Sequence, residues 1–196
     1  MYEAVADPYC YPGTAVLINL AGLQTQEALD AFEAVSTMQR ADEPLPDGRL
    51  SVTHYKALHR HLFQDVFPWA GQFRTVRMSK ETSSFCYPEH IDREMNLLFG
   101  GLKAKRNLRG VSNELFAEQA PEFLATLNAI HPFREGNGRT QALFMALLAF
   151  RAGHPLELDR LDARDFLDAM VSSFEGQPLL LKQQIRFLSA RAPRQR

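Results

Sequence analysis

Cysteine is scarce in this chain of 196 residues, which carries only Cys10 and Cys86. Two cysteines so far apart fit neither a zinc pattern nor a disulfide framework, and a reducing, cytoplasmic setting is expected. An excess of one charge is also lacking. The formal net charge is -1, so no global field draws in nucleic acid or an anionic membrane, and neither is expected as a direct partner. The one basic run, residues 191–196, reads as a short, disordered tail. No apolar run approaches the ~18 residues of a membrane span. The most apolar stretch, residues 142–150, has only the length of a core helix. Residues 1–8 have no basic n-region and no apolar h-region, so no signal peptide is expected. Internal repeats and low-complexity blocks are missing too.

What remains is ordinary globular material. The chain is 45% hydrophobic and 23% charged, a composition that supports a buried core within one domain over residues 1–190. Its periodicity is mostly helical. Residues 9–20 read as a turn-rich lead-in with a Pro12-Gly13 signal. Leu23, Ala28, Leu29, Phe32, Val35 and Met38 approximate helical spacing, so residues 25–39 read as a helix. Ser51 or Thr53 can cap the next helix, which turns Tyr55, Leu58, Leu62 and Phe63 inward. Residues 68–87 mix apolar and polar positions in imperfect alternation and read as a small β-hairpin, the one strand signal in the chain. Further helices are expected over 89–105, 112–130 (Leu115, Phe116, Phe123, Leu124 and Leu127 inward), 139–152, 162–174 and 178–189.

Chemistry concentrates between two of these helices, in His131-Pro132-Phe133-Arg134-Glu135-Gly136-Asn137-Gly138-Arg139. Gly136 and Gly138 let the backbone turn and expose N–H groups. Those groups precede a helix, where the dipole and free donors favour an anion. Arg139 adds a guanidinium suited to phosphate. Glu135 offers a hard oxygen of the kind Mg²⁺ shares with phosphates. His131 can take a proton near neutral pH, and Phe133 anchors the loop in the core. A bare Gly-Asn-Gly would read as a tight helix–helix turn; the flanking His, Phe, Glu and Arg weigh against that. His54, His59 and His61 share one helix, but no carboxylate or cysteine completes a zinc site, so they read as packing or surface residues. His154 before Pro155 reads as turn chemistry.

The segment resembles the signature of Fic-domain proteins, His-x-Phe-x-(Asp/Glu)-Gly-Asn-Gly-Arg, matched at His131, Phe133, Glu135, Gly136, Asn137, Gly138 and Arg139. Residues 9–14 resemble the family's Tyr-Pro-Gly-Thr lead-in, and residues 68–74 its approach to a hairpin flap. The resemblance implies an all-α fold, a helical bundle with a small β-hairpin flap over the active site. It also implies transfer of AMP from ATP to a Ser, Thr or Tyr hydroxyl of a target protein, releasing pyrophosphate. His131 would be the base and Glu135 the Mg²⁺ ligand. Gly136, Asn137 and Gly138 would form the anion hole, and Arg139 would bind the distal phosphates. Lys80, Glu81 and Thr82 fall where the family's flap touches nucleotide and registers the target main chain by strand addition.

One position departs from the pattern. Many members carry a second arginine three residues after the first, and here that residue is Ala142. The change bears on the grip on the ATP tail and leaves two alternatives open: a catalytically weak or inactive Fic-fold binding module, or transfer from another nucleotide donor. The family's inhibitory pattern, (Ser/Thr)-x-x-x-Glu-(Gly/Asn), is not matched at Glu175-Gly176, where Val171 stands four residues before the glutamate. Glu175 therefore reads as a helix-end residue. Inhibition would then come from a separate small antitoxin protein. That implies likeness to bacterial toxin–antitoxin members, some of which modify type II topoisomerase subunits.

Overall fold

The computed structural model describes residues 7–80 and 83–189. The basic tail at 191–196, the first six residues, and Glu81 and Thr82 lie outside that range. Seven α-helices follow one another among the described residues: α1 Gln26–Ala41, α2 Val52–Phe63, α3 Pro88–Ala104, α4 Asn113–Ile130, α5 Asn137–Ala152, α6 Ala163–Phe174 and α7 Leu179–Ser189. None of them is long and apolar enough to cross a membrane.

Local chemistry sets the ends of these helices. The Ser51 hydroxyl accepts from His54 N at the start of α2, and Ser112 accepts from Leu115 N at the start of α4. Each such cap contributes about 1 kcal/mol. Asp162 caps α6 by accepting from Arg164 N and Asp165 N. Pro88 opens α3, where its missing N–H costs nothing. Gly153 ends α5 at φ 93°, a left-handed conformation that favours glycine.

Two apolar clusters hold the bundle. The larger one joins α2 to α7 around Tyr55, Phe99, Phe133 and Phe144. Tyr55 stacks on Phe133 and meets Phe144 edge-on, both at 5.5 Å. The smaller cluster packs the lead-in and α1 against α2 through Leu17, Leu29, Phe63, Phe67 and Trp69. The loop carrying Phe133 is thus pinned from below by α2, which fixes where the α4–α5 connection can sit.

Three features differ from what the sequence pattern suggests. On α1, Val35 and Met38 are exposed, while Leu29, Glu33, Ser36 and Thr37 are buried. The helix turns a partly polar face inward, where Glu33 meets Arg139. On α4, Leu115 is exposed, whereas Phe116, Phe123, Leu124 and Leu127 are buried as expected. Regular pairing between 68 and 87 shrinks to Ser79–Lys80 (β1) and Ser83–Ser84 (β2), antiparallel, with Ser79 opposite Ser84 and Lys80 opposite Ser83. Outside this pairing, the Val76 and Cys86 carbonyls accept from the Arg74 side chain instead of a ladder partner.

Candidate active site

The site begins where α4 stops. His131 caps that helix at φ 49° and ψ 62°, a left-handed conformation in a residue with a Cβ. Such a conformation costs about 1–2 kcal/mol and persists only where its surroundings enforce it. The enforcement is visible. His131 N donates to Leu127 O, its own carbonyl accepts from Arg74 Nε at 2.8 Å, and its ring stacks on Phe85 at 4.0 Å.

Arg74 was not among the sequence-derived candidates. It is almost fully buried, 2% exposed. Burial pushes its pKa down, but a guanidinium stays charged in proteins. It donates to four backbone carbonyls: His131, Val76 (2.6 Å), Cys86 (2.6 Å) and Ile130 (3.2 Å). Both legs of the hairpin and the end of α4 therefore hang on one side chain. No local pattern in the sequence marks this role, because the carbonyls of Ile130 and His131 lie more than fifty residues away along the chain.

Beyond His131 the loop closes on itself. The Asn137 carboxamide accepts from Phe133 N at 2.9 Å and donates to Phe133 O at 2.8 Å. Its side chain therefore shapes the loop, and the anion-facing group it can offer is its backbone N–H. Gly136 adopts φ 80°, and a Cβ there would lie 2.4 Å from the Phe63 ring, so both conformation and space require glycine. The Gly136 carbonyl accepts from Thr140 N and Oγ1, starting α5. Among the described residues, the N–H groups of Asn137, Gly138 and Arg139 meet no protein acceptor. They form the open N-terminus of a sixteen-residue helix.

His59, read from the sequence as a packing or surface residue, is fully buried and braces the loop from α2. Its Nδ1 accepts from Gly71 N at 2.8 Å, so Nε2 carries the proton and donates to Glu135 O at 3.0 Å. The ring stacks on Phe133 with centroids 3.7 Å apart. Burial first, and the Arg139 charge second, pull its pKa down to about 4, against the hydrogen bond to Glu135. It is a neutral buried bracket under the cradle. His54 and His61 likewise bond to backbone carbonyls, of Pro46 and Arg40. His154 bonds to Val111 O.

His131, Glu135, Gly136, Asn137, Gly138 and Arg139 all line one pocket of about 540 Å³. That volume lies within the usual range of small-molecule sites. Met78, Phe85 and the α6 residues Phe166, Met170 and Phe174 form its apolar wall, and Ala142 lines it as well. Lys80 belongs to β1 by its backbone, whereas Glu81 and Thr82 lie outside the described residues. Glu175 is exposed at the C-cap of α6, a helix-end residue.

The Glu135 carboxylate is 45% exposed at the pocket and accepts from Gly136 N at 2.8 Å. One carboxylate beside an anion cradle suits Mg²⁺, which fills its remaining shell from phosphate and water. Among the described residues no group of three His, Cys, Asp or Glu could cage a metal by itself. Arg139 gives Nη2 to Glu33, lies 3.6 Å from Glu135, and sets its guanidinium 4.7 Å over the Phe63 ring.

A histidine at a strained helix end and the open N–H groups of a helix start line one pocket, whose donors suit a phosphate-bearing ligand. Known proteins give that pocket a family. Residues 49–149 match the model of the Fic/DOC family, and the chain belongs to that family. It is 53% identical over 186 residues to the probable protein adenylyltransferase y4lH of Sinorhizobium fredii, covering 94% of this chain and 97% of that protein. It is 35% identical over 188 residues to the protein adenylyltransferase VbhT of Bartonella schoenbuchensis, covering 94% of this chain and 39% of the longer relative. Among solved structures, BepC of Bartonella tribocorum with bound AMPPNP superposes with a TM-score of 0.81 at 26% identity, over 92% of this chain and 95% of that one.

Proposed function

We propose that this chain is a protein adenylyltransferase that moves AMP from ATP to a Ser, Thr or Tyr hydroxyl of a target protein. The observation that carries the reading is one pocket lined by His131 together with Asn137, Gly138 and Arg139, whose N–H groups begin α5. A base and an anion cradle that share a cavity suit phosphoryl-type transfer, where positioning and charge neutralisation dominate.

His131 takes the proton of the target hydroxyl. The hydroxyl oxygen attacks the α-phosphorus, the bond from that phosphorus to the bridging oxygen breaks, and pyrophosphate leaves. The N–H groups at the start of α5 hold the phosphate oxygens, and Arg139 holds the distal phosphates. Glu135 would hold Mg²⁺, which neutralises phosphate charge when bound. Met78 and Phe85, which flank the short pairing of β1 and β2, both line the pocket. That placement supports a flap over the site, with Lys80, Glu81 and Thr82 registering the target main chain.

Residues 1–190 are read as one such domain, acting in the cytoplasm and held in check by a separate antitoxin protein. A type II topoisomerase subunit is the candidate target. Bacterial lysate incubated with α-labelled ATP and Mg²⁺ should show a labelled band with wild type and none with His131→Ala. Equal labelling by both proteins sinks the mechanism. A chain that binds ATP but labels nothing, even as Ala142→Arg, is instead a Fic-fold binding module.

A further inference from the structure

Glu33 is the one charged side chain buried on the inner face of α1, 8% exposed. Burial pushes its carboxyl pKa up, against the lowering effect of Arg139. A buried carboxylate is costly unless its partner and geometry compensate, so its placement calls for a reason. Its Oε1 accepts from Arg139 Nη2. The same guanidinium lies 4.7 Å over the Phe63 ring. Arg139 is thereby gripped at one corner and on one face. Among the described residues its Nε and Nη1 donors meet no acceptor, and the side chain lines the 540 Å³ pocket. Glu33 does not line that pocket. It borders a neighbouring cavity of about 320 Å³ on the α1 side, which shares Arg139 and Glu135 with the first.

We propose that Glu33 is a positioning residue: from α1 it holds Arg139 so that the unengaged donors of its guanidinium face the distal phosphates of the nucleotide. The proposal rests on the adenylyltransferase reading only for which phosphates Arg139 meets. Arginine has large rotamer freedom, and each restraint made before binding lowers the ordering cost at binding. The restraint matters more here than in relatives with two arginines, because the second position is Ala142.

A metal-ligand role needs Glu33 to face the nucleotide pocket, and it lines only the adjoining one. A role as competitor for Arg139 would have the carboxylate occupy the phosphate-facing donors, yet it engages Nη2 alone.

The test measures nucleotide affinity by calorimetry on the purified chain, so it does not depend on finding a target. Glu33→Ala is expected to weaken ATP binding about tenfold and leave AMP binding unchanged, because AMP lacks the distal phosphates. Glu33→Gln, which keeps an acceptor oxygen in place, is expected to restore most of the ATP affinity. Melting temperature is recorded for each variant. Equal weakening of ATP and AMP would make Glu33 a purely structural residue and overturn the proposal. Unchanged ATP affinity overturns it too, and tighter ATP binding or stronger labelling by Glu33→Ala would make Glu33 a competitor. If wild type binds ATP without labelling any protein, the transfer reading fails while the ATP-against-AMP comparison still decides the role of Glu33. If wild type binds neither nucleotide, both readings fail.

Discussion

Replacing His59 with phenylalanine keeps an aromatic ring on Phe133 but removes two hydrogen bonds, to Gly71 N and Glu135 O. The Gly71 N–H is buried, and leaving it without a partner costs about 1–3 kcal/mol. The Glu135 carbonyl is partly accessible, and losing that bond costs about 1 kcal/mol. The sum, roughly 2–4 kcal/mol, corresponds to a fall of roughly 5–15 °C in Tm for a chain of this size. Acid supplies an independent check. His59 has a folded pKa of about 4 against its ordinary 6.5. The unfolded chain therefore takes up this proton first as pH falls. The stability from keeping His59 neutral is complete above about pH 6.5 and is lost between pH 6.5 and 4, about 3 kcal/mol in all. The phenylalanine variant has no such loss. Denaturant melts of both proteins from pH 7.5 to 4 should show a stability gap that narrows with acid, while carboxylate titrations common to both cancel. A gap that stays constant across that range refutes the account of His59 as a neutral bracket.

Gly136→Ala adds a Cβ 2.4 Å from Phe63 at φ 80°; AMP transfer should fall about 10²-fold, and retention of near-wild-type labelling would show that the cradle tolerates movement. Arg74→Lys cannot serve four carbonyls from one ammonium, so a loss of roughly 2–4 kcal/mol is expected, together with weaker labelling because His131 loses its backbone support; an unchanged melting curve would contradict this. Ala142→Arg places a guanidinium on the pocket wall and should tighten ATP binding about tenfold, whereas unaltered affinity would mean that Arg139 and the helix start already satisfy the phosphates.

The segment 131–139 was legible because its chemistry is contiguous: glycines, a histidine, a carboxylate and an arginine at fixed spacing, at the junction of two helices. The residues that brace it were not. His59, Arg74 and Glu33 lie about 76, 57 and 106 positions from their partners Glu135, His131 and Arg139, and no local pattern marks such contacts. The inner face of α1 likewise does not follow the spacing of its apolar residues. Periodicity seeks apolar residues, and that helix buries Glu33, Ser36 and Thr37, of which Glu33 meets a distant arginine. The hairpin was harder still, since a side chain rather than a second strand satisfies the carbonyls of Val76 and Cys86.

Arg74 has a consequence for how a target would be chosen. One guanidinium joins the carbonyls of Val76 and Cys86 on the hairpin to those of Ile130 and His131 at the helix end. If His131 is the base, as proposed, this tie links the stem of the hairpin directly to it. A strand that adds to the hairpin edge advances about 3.3 Å per residue, so its hydroxyl meets His131 only at one count along the chain. Selection would then work as a ruler on the backbone: the position of a hydroxyl, more than the side chains around it, decides whether it is modified.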